Sequence, residues 1–160
     1  MKTFLAVCFA VGLLTGCVTV QSVQEYMQAA SFSEAVEGRY WQLEEVRAEN
    51  GDIVFDRRNL TDEFFQGVYT MQFDGARVFG KAAPNRFNAP YTINGSAIEF
   101  MPAASTMMAA FIEPEGLREH EFFGLLANAH NWEIRQDHLW LHTTNSENES
   151  VVMIFTPTEG

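Results

Sequence analysis

Between Arg77 and Ala110 the chain reads RVFGKAAPNRFNAPYTINGSAIEFMPAASTMMAA, and the rest of the sequence is best understood outward from it. Short runs of alternating apolar and polar residues are broken by turn signals, the mark of antiparallel hairpins. Asn94-Gly95 is a strong hairpin signal, because glycine takes positive φ freely and asparagine tolerates it. Closing Tyr91–Ile93 on Ser96–Phe100 through that pair predicts Tyr91 opposite Ile98. Just upstream, Tyr69–Phe73 closes on Ala76–Gly80 through Asp74-Gly75, which predicts Met71 opposite Val78 and Phe73 opposite Ala76. All of these apolar residues then share one face, with Gln72 and Arg77 on the other.

The pattern continues on both sides. Phe122, Leu125, Leu126 and Ala129 recur at i, i+3, i+4 and i+7, a helix that lays one stripe on the sheet. Pro114 is expected in its first turn, Glu113 and Glu115 near its positive end, and Asn128 or Asn131 at its stop. Trp132–Arg135 pairs with His138–Leu141 through Gln136-Asp137, and Val151–Phe155 forms the last strand. On the N-terminal side, Trp41 and Leu43 share one face of a first strand. Glu49-Asn50-Gly51-Asp52 turns the chain into Ile53-Val54-Phe55, and the charged connection 56–67 follows, with Arg57 and Arg58 expected to be solvated and to face nearby carboxylates. The expected fold is mainly antiparallel β with one packed helix (α+β), a meander forming a partly closed, barrel-like sheet.

At 160 residues, 47% hydrophobic and 13% aromatic, the chain has material for one well-cored domain. Residues 1–16 read as an export signal: Lys2 precedes an apolar run from Phe4 to Leu14 that is too short to span a bilayer. Leu14-Thr15-Gly16-Cys17 looks like a bacterial lipobox, in which Cys17 is acylated and becomes the mature N-terminus. That places the protein in the cell envelope, on a membrane through its lipid. Val18 after the cysteine resembles outer-membrane sorting, with the domain facing the periplasm. Loss of the signal removes Lys2 and Cys8, leaving nine Lys and Arg against 21 Asp and Glu, a formal charge of −12. A domain so acidic repels nucleic acid, and with Cys17 acylated it retains no thiol for a disulfide or a nucleophile. Residues 17–38 form the lipidated N-terminus and a tether or short helix, with Val23, Tyr26, Met27 and Ala30 at helical spacing; 39–156 form the folded domain.

The candidates for chemistry are sparse. His138 and His142 lie four apart on a strand, about 13 Å at roughly 3.3 Å per residue, too far to share one metal ion. Glu119, His120 and Glu121 point in different directions around a helix and are expected on a solvated helix face. No glycine-rich phosphate loop or nucleophile elbow is present, and Ser105 and Thr106 have no histidine base nearby in the expected topology. No catalytic residue, metal or other cofactor is expected, and the protein is not expected to be an enzyme.

What remains is a polar and aromatic set that resembles the META, or HslJ-like, domain of bacterial envelope proteins. Trp41 and Leu43 match its opening Trp-x-Leu; Phe73, Arg77, Val78 and Gly80 match its strand into glycine. Asn85, Arg86, Phe87 and Tyr91 match its Asn-x-Phe signature, Thr106, Met108 and Ala109 its Thr-x-Met-Ala, and Leu139 and Leu141 its closing Leu-x-Leu. Pro84 and Ala110 stand where the family pattern has paired cysteines. The resemblance implies kinship with heat-induced, stress-related envelope proteins and with novobiocin resistance, and a fold similar to secretin-piloting lipoproteins. It implies no reaction. Asn85, Arg86, Phe87, Tyr91 and Thr106 are the candidate structural or binding cluster. The expected function is a partner-binding factor holding an envelope protein, with a small barrel carrying an apolar ligand as the alternative and a hydrolase as a third reading.

Overall fold

The computed structural model describes residues 31–109 and 112–159. Cys17, the helix expected around Val23–Ala30, and Ala110 lie outside the described residues. Ten strands form one antiparallel sheet: β1 (Tyr40–Ala48), β2 (Ile53–Asp56), β3 (Thr70–Asp74), β4 (Arg77–Lys81), β5 (Arg86–Asn94), β6 (Ala97–Phe100), β7 (Ala104–Ser105), β8 (Asn131–Arg135), β9 (His138–Thr144) and β10 (Ser150–Thr158). The spatial order is β10-β9-β8-β6-β5-β4-β3-β1, and β1 pairs again with β10, so eight strands close a barrel. β2 extends one edge of β1, and β7 adds to β5. β1 can serve three partners because its first residues pair with β3 and its last with β2, while its other edge runs along β10 from Tyr40↔Thr158 to Ala48↔Val151. A bulge at Glu44 bends the strand between those two partners.

The three hairpins keep the expected faces, but two of them shift register. Phe73 pairs with Val78 and Met71 with Gly80; Ile93 pairs with Ile98 and Tyr91 with Phe100. The two-residue loops are thus Gly75-Ala76 and Gly95-Ser96, with each glycine leading at positive φ, the arrangement of a loop that needs only one such residue. Asp74 and Asn94 stay in the ladder. The third hairpin turns as expected at Gln136-Asp137, both at positive φ, and pairs Trp132 with Leu141 and Ile134 with Leu139.

Aromatic side chains fill the interior from both ends. The helical segment 31–36 inserts Phe32 between Trp132, Phe73 and Tyr91 at ring separations of 4.8, 5.3 and 5.6 Å. Trp41 Nε1 donates to the Val36 carbonyl, and the Tyr91 hydroxyl to Glu37, each closing that end with a satisfied polar group. At the other end α1 (Glu119–Ala127) seats Phe122 against Tyr69 at 5.0 Å and Phe87 at 5.8 Å. Thr143 Oγ1 donates to the Leu125 carbonyl and pins the helix. Such ring pairs each add about 0.5–1.5 kcal/mol beyond the area they bury.

Two further expectations change. The helix does not begin at Pro114: Gly116 holds φ +82°, which an α-helix cannot contain, so Arg118 is the N-cap and Glu119 the first helical residue. Its acidic first turn is Glu119 and Glu121; Asn128 caps the end and Asn131 opens β8. The arginine pair divides. Exposed Arg58 salt-bridges half-buried Asp56, but Arg57 turns inward, where Nη2 donates to the Val68 carbonyl at 2.6 Å and Nε to the Leu43 carbonyl. Burial pushes its pKa down to about 10. Arg57 therefore ties the 57–68 connection to β1 through main-chain oxygens, a task for a long planar donor rather than a solvated charge.

A Cβ on Gly80 would collide with the Thr70 carbonyl oxygen and lie 2.6 Å from the Phe87 ring, whereas on Gly124 it would meet nothing within 4 Å. Gly80→Ala should cost at least about 2 kcal/mol in urea unfolding, and Gly124→Ala, in mid-helix, should be neutral or stabilising by up to ~1 kcal/mol.

Candidate functional site

The segment 82–88 and the strap 104–109 are stitched together by one buried amide. Asn85 Oδ1 accepts from Thr106 Oγ1 at 2.7 Å and from the Met108 N–H at 2.8 Å; its Nδ2 donates to Glu119 Oε2 at 2.8 Å and to the Met108 carbonyl at 3.2 Å. The Asn85 N–H donates to the other Glu119 oxygen at 2.9 Å, so one carboxylate holds both ends of the residue. Every donor and acceptor of the side chain is thereby used. Thr106 exchanges a second pair of bonds with the Arg86 backbone, extending the ladder past β7. Glu119 sits in the first turn of α1, where the helix dipole favours its negative charge.

This stitched ridge separates two clefts on the outer wall of the barrel. On one side lies an open groove of about 570 Å³ across β3, β4, β5 and β7, lined by Gln72, Phe79, Arg86, Asn88 and Ser105, with Tyr40 at its edge. Tyr40 and Phe79 are 42% and 43% exposed. On the other side lies an apolar pocket of about 710 Å³ bounded by Phe64, Phe65, Val68, Ala83, Pro84, Met108 and Ile112. Lys81 lines both. It stands directly across from Arg86 in the β4–β5 ladder, a like-charge pairing that destabilises a sheet. Among the described residues neither side chain has an ion-pair or hydrogen-bond partner, while Arg39, Arg47, Arg58, Arg118 and Arg135 each meet a carboxylate. In a chain of formal charge −11, two adjacent unneutralised cations are a local exception.

The candidate cluster is only partly brought together. Asn85, Thr106 and the Arg86 backbone form the network; Phe87 points into the core beneath it, against Phe122 and Phe123. Tyr91 is not part of it. Six residues along β5, its hydroxyl meets Glu37 and the Gly75 carbonyl at the opposite end of the barrel, and burial together with the Glu37 bond pushes its pKa up. Glu119, expected on a solvated helix face, instead takes the first position of α1 against the Asn85 bend, a placement that depends on the helix start Gly116 sets. His142 and His138 face outward, toward Glu133 and Glu44. Among the described residues no group of three or more His, Cys, Asp or Glu is placed to hold a metal ion.

The META domain profile matches residues 34–158. This chain belongs to the META domain family. No curated protein matches it. Among solved structures, the META barrel is similar to the NMR structure of a protein from Burkholderia xenovorans, at 14% identity and a TM-score of 0.57 over 81% of this chain and 88% of that one. It is also similar to the crystal structure of a DUF4847 family protein from Bacteroides vulgatus, at 11% identity and a TM-score of 0.57 over 80% of this chain and 98% of the other. At such identities the likeness is one of fold. Within the family frame, Asn85 and Thr106 of the signature are the residues that bond each other across the ridge, and Pro84, at one of the expected cysteine positions, lines the apolar pocket.

Asn85→Ala leaves the Thr106 hydroxyl, the Met108 N–H and the Glu119 carboxylate short of partners, and should cost roughly 3 kcal/mol in denaturant unfolding. Asn85→Asp sets a second carboxylate against Glu119. Its deficit relative to the parent should be largest at neutral pH and shrink as the pH falls through the carboxylate range, because protonating either carboxyl removes the repulsion between two like charges.

Proposed function

We propose that this META domain chain is a non-enzymatic binding factor of the bacterial cell envelope, lipid-anchored at Cys17 to the outer membrane and facing the periplasm. It would hold an acidic segment of an envelope protein in the groove over β3–β5, in the stress-related setting the family resemblance implies. One observation carries the reading: the groove sets the unneutralised cations Lys81 and Arg86 beside half-exposed Tyr40 and Phe79. Aromatic and arginine side chains are the residue types that dominate binding energy at protein interfaces. The acidic remainder of the surface disfavours anionic partners everywhere else, so the two cations also give register.

The non-enzymatic part rests on what lines the same groove. Its titratable side chains are Tyr40, Lys81 and Arg86, with no carboxylate and no histidine, whereas acid–base catalysis needs paired titrating groups in one cleft. The Thr106 hydroxyl is spent on Asn85. Anchorage rests on the Leu14-Thr15-Gly16-Cys17 motif; among the described residues no helix is long and apolar enough to cross a membrane.

In cells expressing the full chain, Cys17→Ser should move the protein from the membrane to the soluble fraction and abolish incorporation of labelled palmitate. A photo-crosslinker at Phe79 should recover one or a few envelope proteins from native membranes, and Arg86→Glu should reduce that yield at least tenfold. Recovery that Arg86→Glu and Tyr40→Ala leave unchanged would remove the groove from the account.

A further inference from the structure

The alternative of an apolar ligand inside the barrel meets a filled interior, since Phe32 and Phe122 enter from the two ends and Trp41, Leu43, Met71, Phe73, Leu139 and Phe155 are wholly buried between them. The apolar space lies outside, in the pocket beyond the Asn85 ridge. Phe64, Met108 and Ile112 around it are 79%, 59% and 60% exposed. Its volume of about 710 Å³ falls in the range of small-ligand sites, roughly 300–1,000 Å³. Among the described residues that line it, only Lys81 has a side chain with a nitrogen or an oxygen. The Lys81 Nζ leans toward this side: a Cβ built on Gly67 would lie 3.9 Å from it, and Gly67 precedes Val68 in the pocket wall.

We propose that this pocket binds a free single-chain amphiphile with an anionic head, of the long-chain carboxylate class. Its alkyl chain lies over Phe64, Phe65, Val68, Ala83 and Ile112, and its head pairs with Lys81, with Arg86 across the ladder adding to the positive field. Two features select this occupant. A peptide laid there would bury N–H and C=O groups against side chains that offer them nothing but one ammonium, a loss an alkyl chain does not incur. An anionic bilayer surface would meet a chain of net charge −11, whereas one small anion meets only the local cations. The site goes beyond the partner groove, sharing with it the Lys81 side chain and the field of Arg86.

The test is photo-labelling of the full chain in washed cells with a dodecanoate bearing a diazirine at its chain terminus, mapped by mass spectrometry. Label is expected in segments 64–68 and 106–109 and on Ile112. Unlabelled dodecanoate should compete; decanoate, two methylenes shorter, should need roughly tenfold more, and dodecyltrimethylammonium should not compete. Phe64→Asp, at an exposed position the fold does not need, should abolish the label, and Lys81→Gln should reduce it at least fivefold with unchanged circular dichroism. Label that Phe64→Asp leaves intact, label in the core strands, or equal competition by the cationic amphiphile would overturn the proposal. So would self-association lost in Phe64→Asp, which would assign the patch to a second copy of the chain. Labelling without a Phe79-crosslinked partner, or the reverse, separates this site from the groove.

Discussion

The pairing of β1 with β10 is the constraint on which the rest of the molecule depends. Both strands are nine residues long and joined from Tyr40↔Thr158 to Ala48↔Val151, so the first and last strands of the domain meet and the meander has no free ends. Closure removes the exposed edges that an open antiparallel sheet of this length would carry. It also commits one face of every barrel strand to the interior. Trp41 and Leu43 on β1 and Met153 and Phe155 on β10 are wholly buried in that interior. The opposite side of the barrel is held more thinly. β6 and β8 share the single pair Ala97↔Asn131, supported by backbone bonds from Ile98 to His130 and from Trp132 to Ser96, and by the Trp132 indole donating to Gly95. A barrel with one short seam relies on the long one.

With the interior filled, the open clefts lie on the outer wall, and the wall is shaped by a second local device. Because Asn85 holds Thr106, Met108 and Glu119 at once, the strap after β7 stands against β5 as a ridge instead of drifting as a loop. The groove and the apolar pocket are the two sides of that ridge. Lys81 and Arg86 flank it without carboxylate partners, at a cost to sheet stability, whereas the like-charge pair Glu45 opposite Asp56 is offset by Arg47 and Arg58. The family signature is thus structural at Asn85 and Thr106, and its neighbours line the groove and the pocket proposed for binding.

Strand faces, the helix stripe and the α+β class were legible because period-2 and period-3.6 burial depends on neighbours in sequence. Register was less so: Asp74-Gly75 and Asn94-Gly95 are compatible with loops that start one residue apart, and choosing between them depends on cross-strand packing, here Phe73 on Val78 and Ile93 on Ile98. The start of α1 was missed because Pro114 satisfies a helix rule locally while Gly116 breaks the helix two residues later. Arg57 and Glu119 read as surface charges since nothing in their own segments reveals the carbonyls of Leu43 and Val68 or the amide of Asn85 they meet across the fold. The clefts themselves arise from residues far apart in the chain, Phe64 beside Met108 and Tyr40 beside Arg86, and no local pattern encodes such a meeting.

Native-state hydrogen exchange along the β1–β10 seam tests the closed, filled barrel most directly. Amides that face across the seam, those of Arg47, Val152, Ile154 and Thr156, should exchange as slowly as the most protected amides of the β3–β4 and β8–β9 hairpins, through global unfolding alone. Exchange in the seam many-fold faster than in those hairpins would show that the first and last strands part while the rest stays folded, and would contradict a sealed interior.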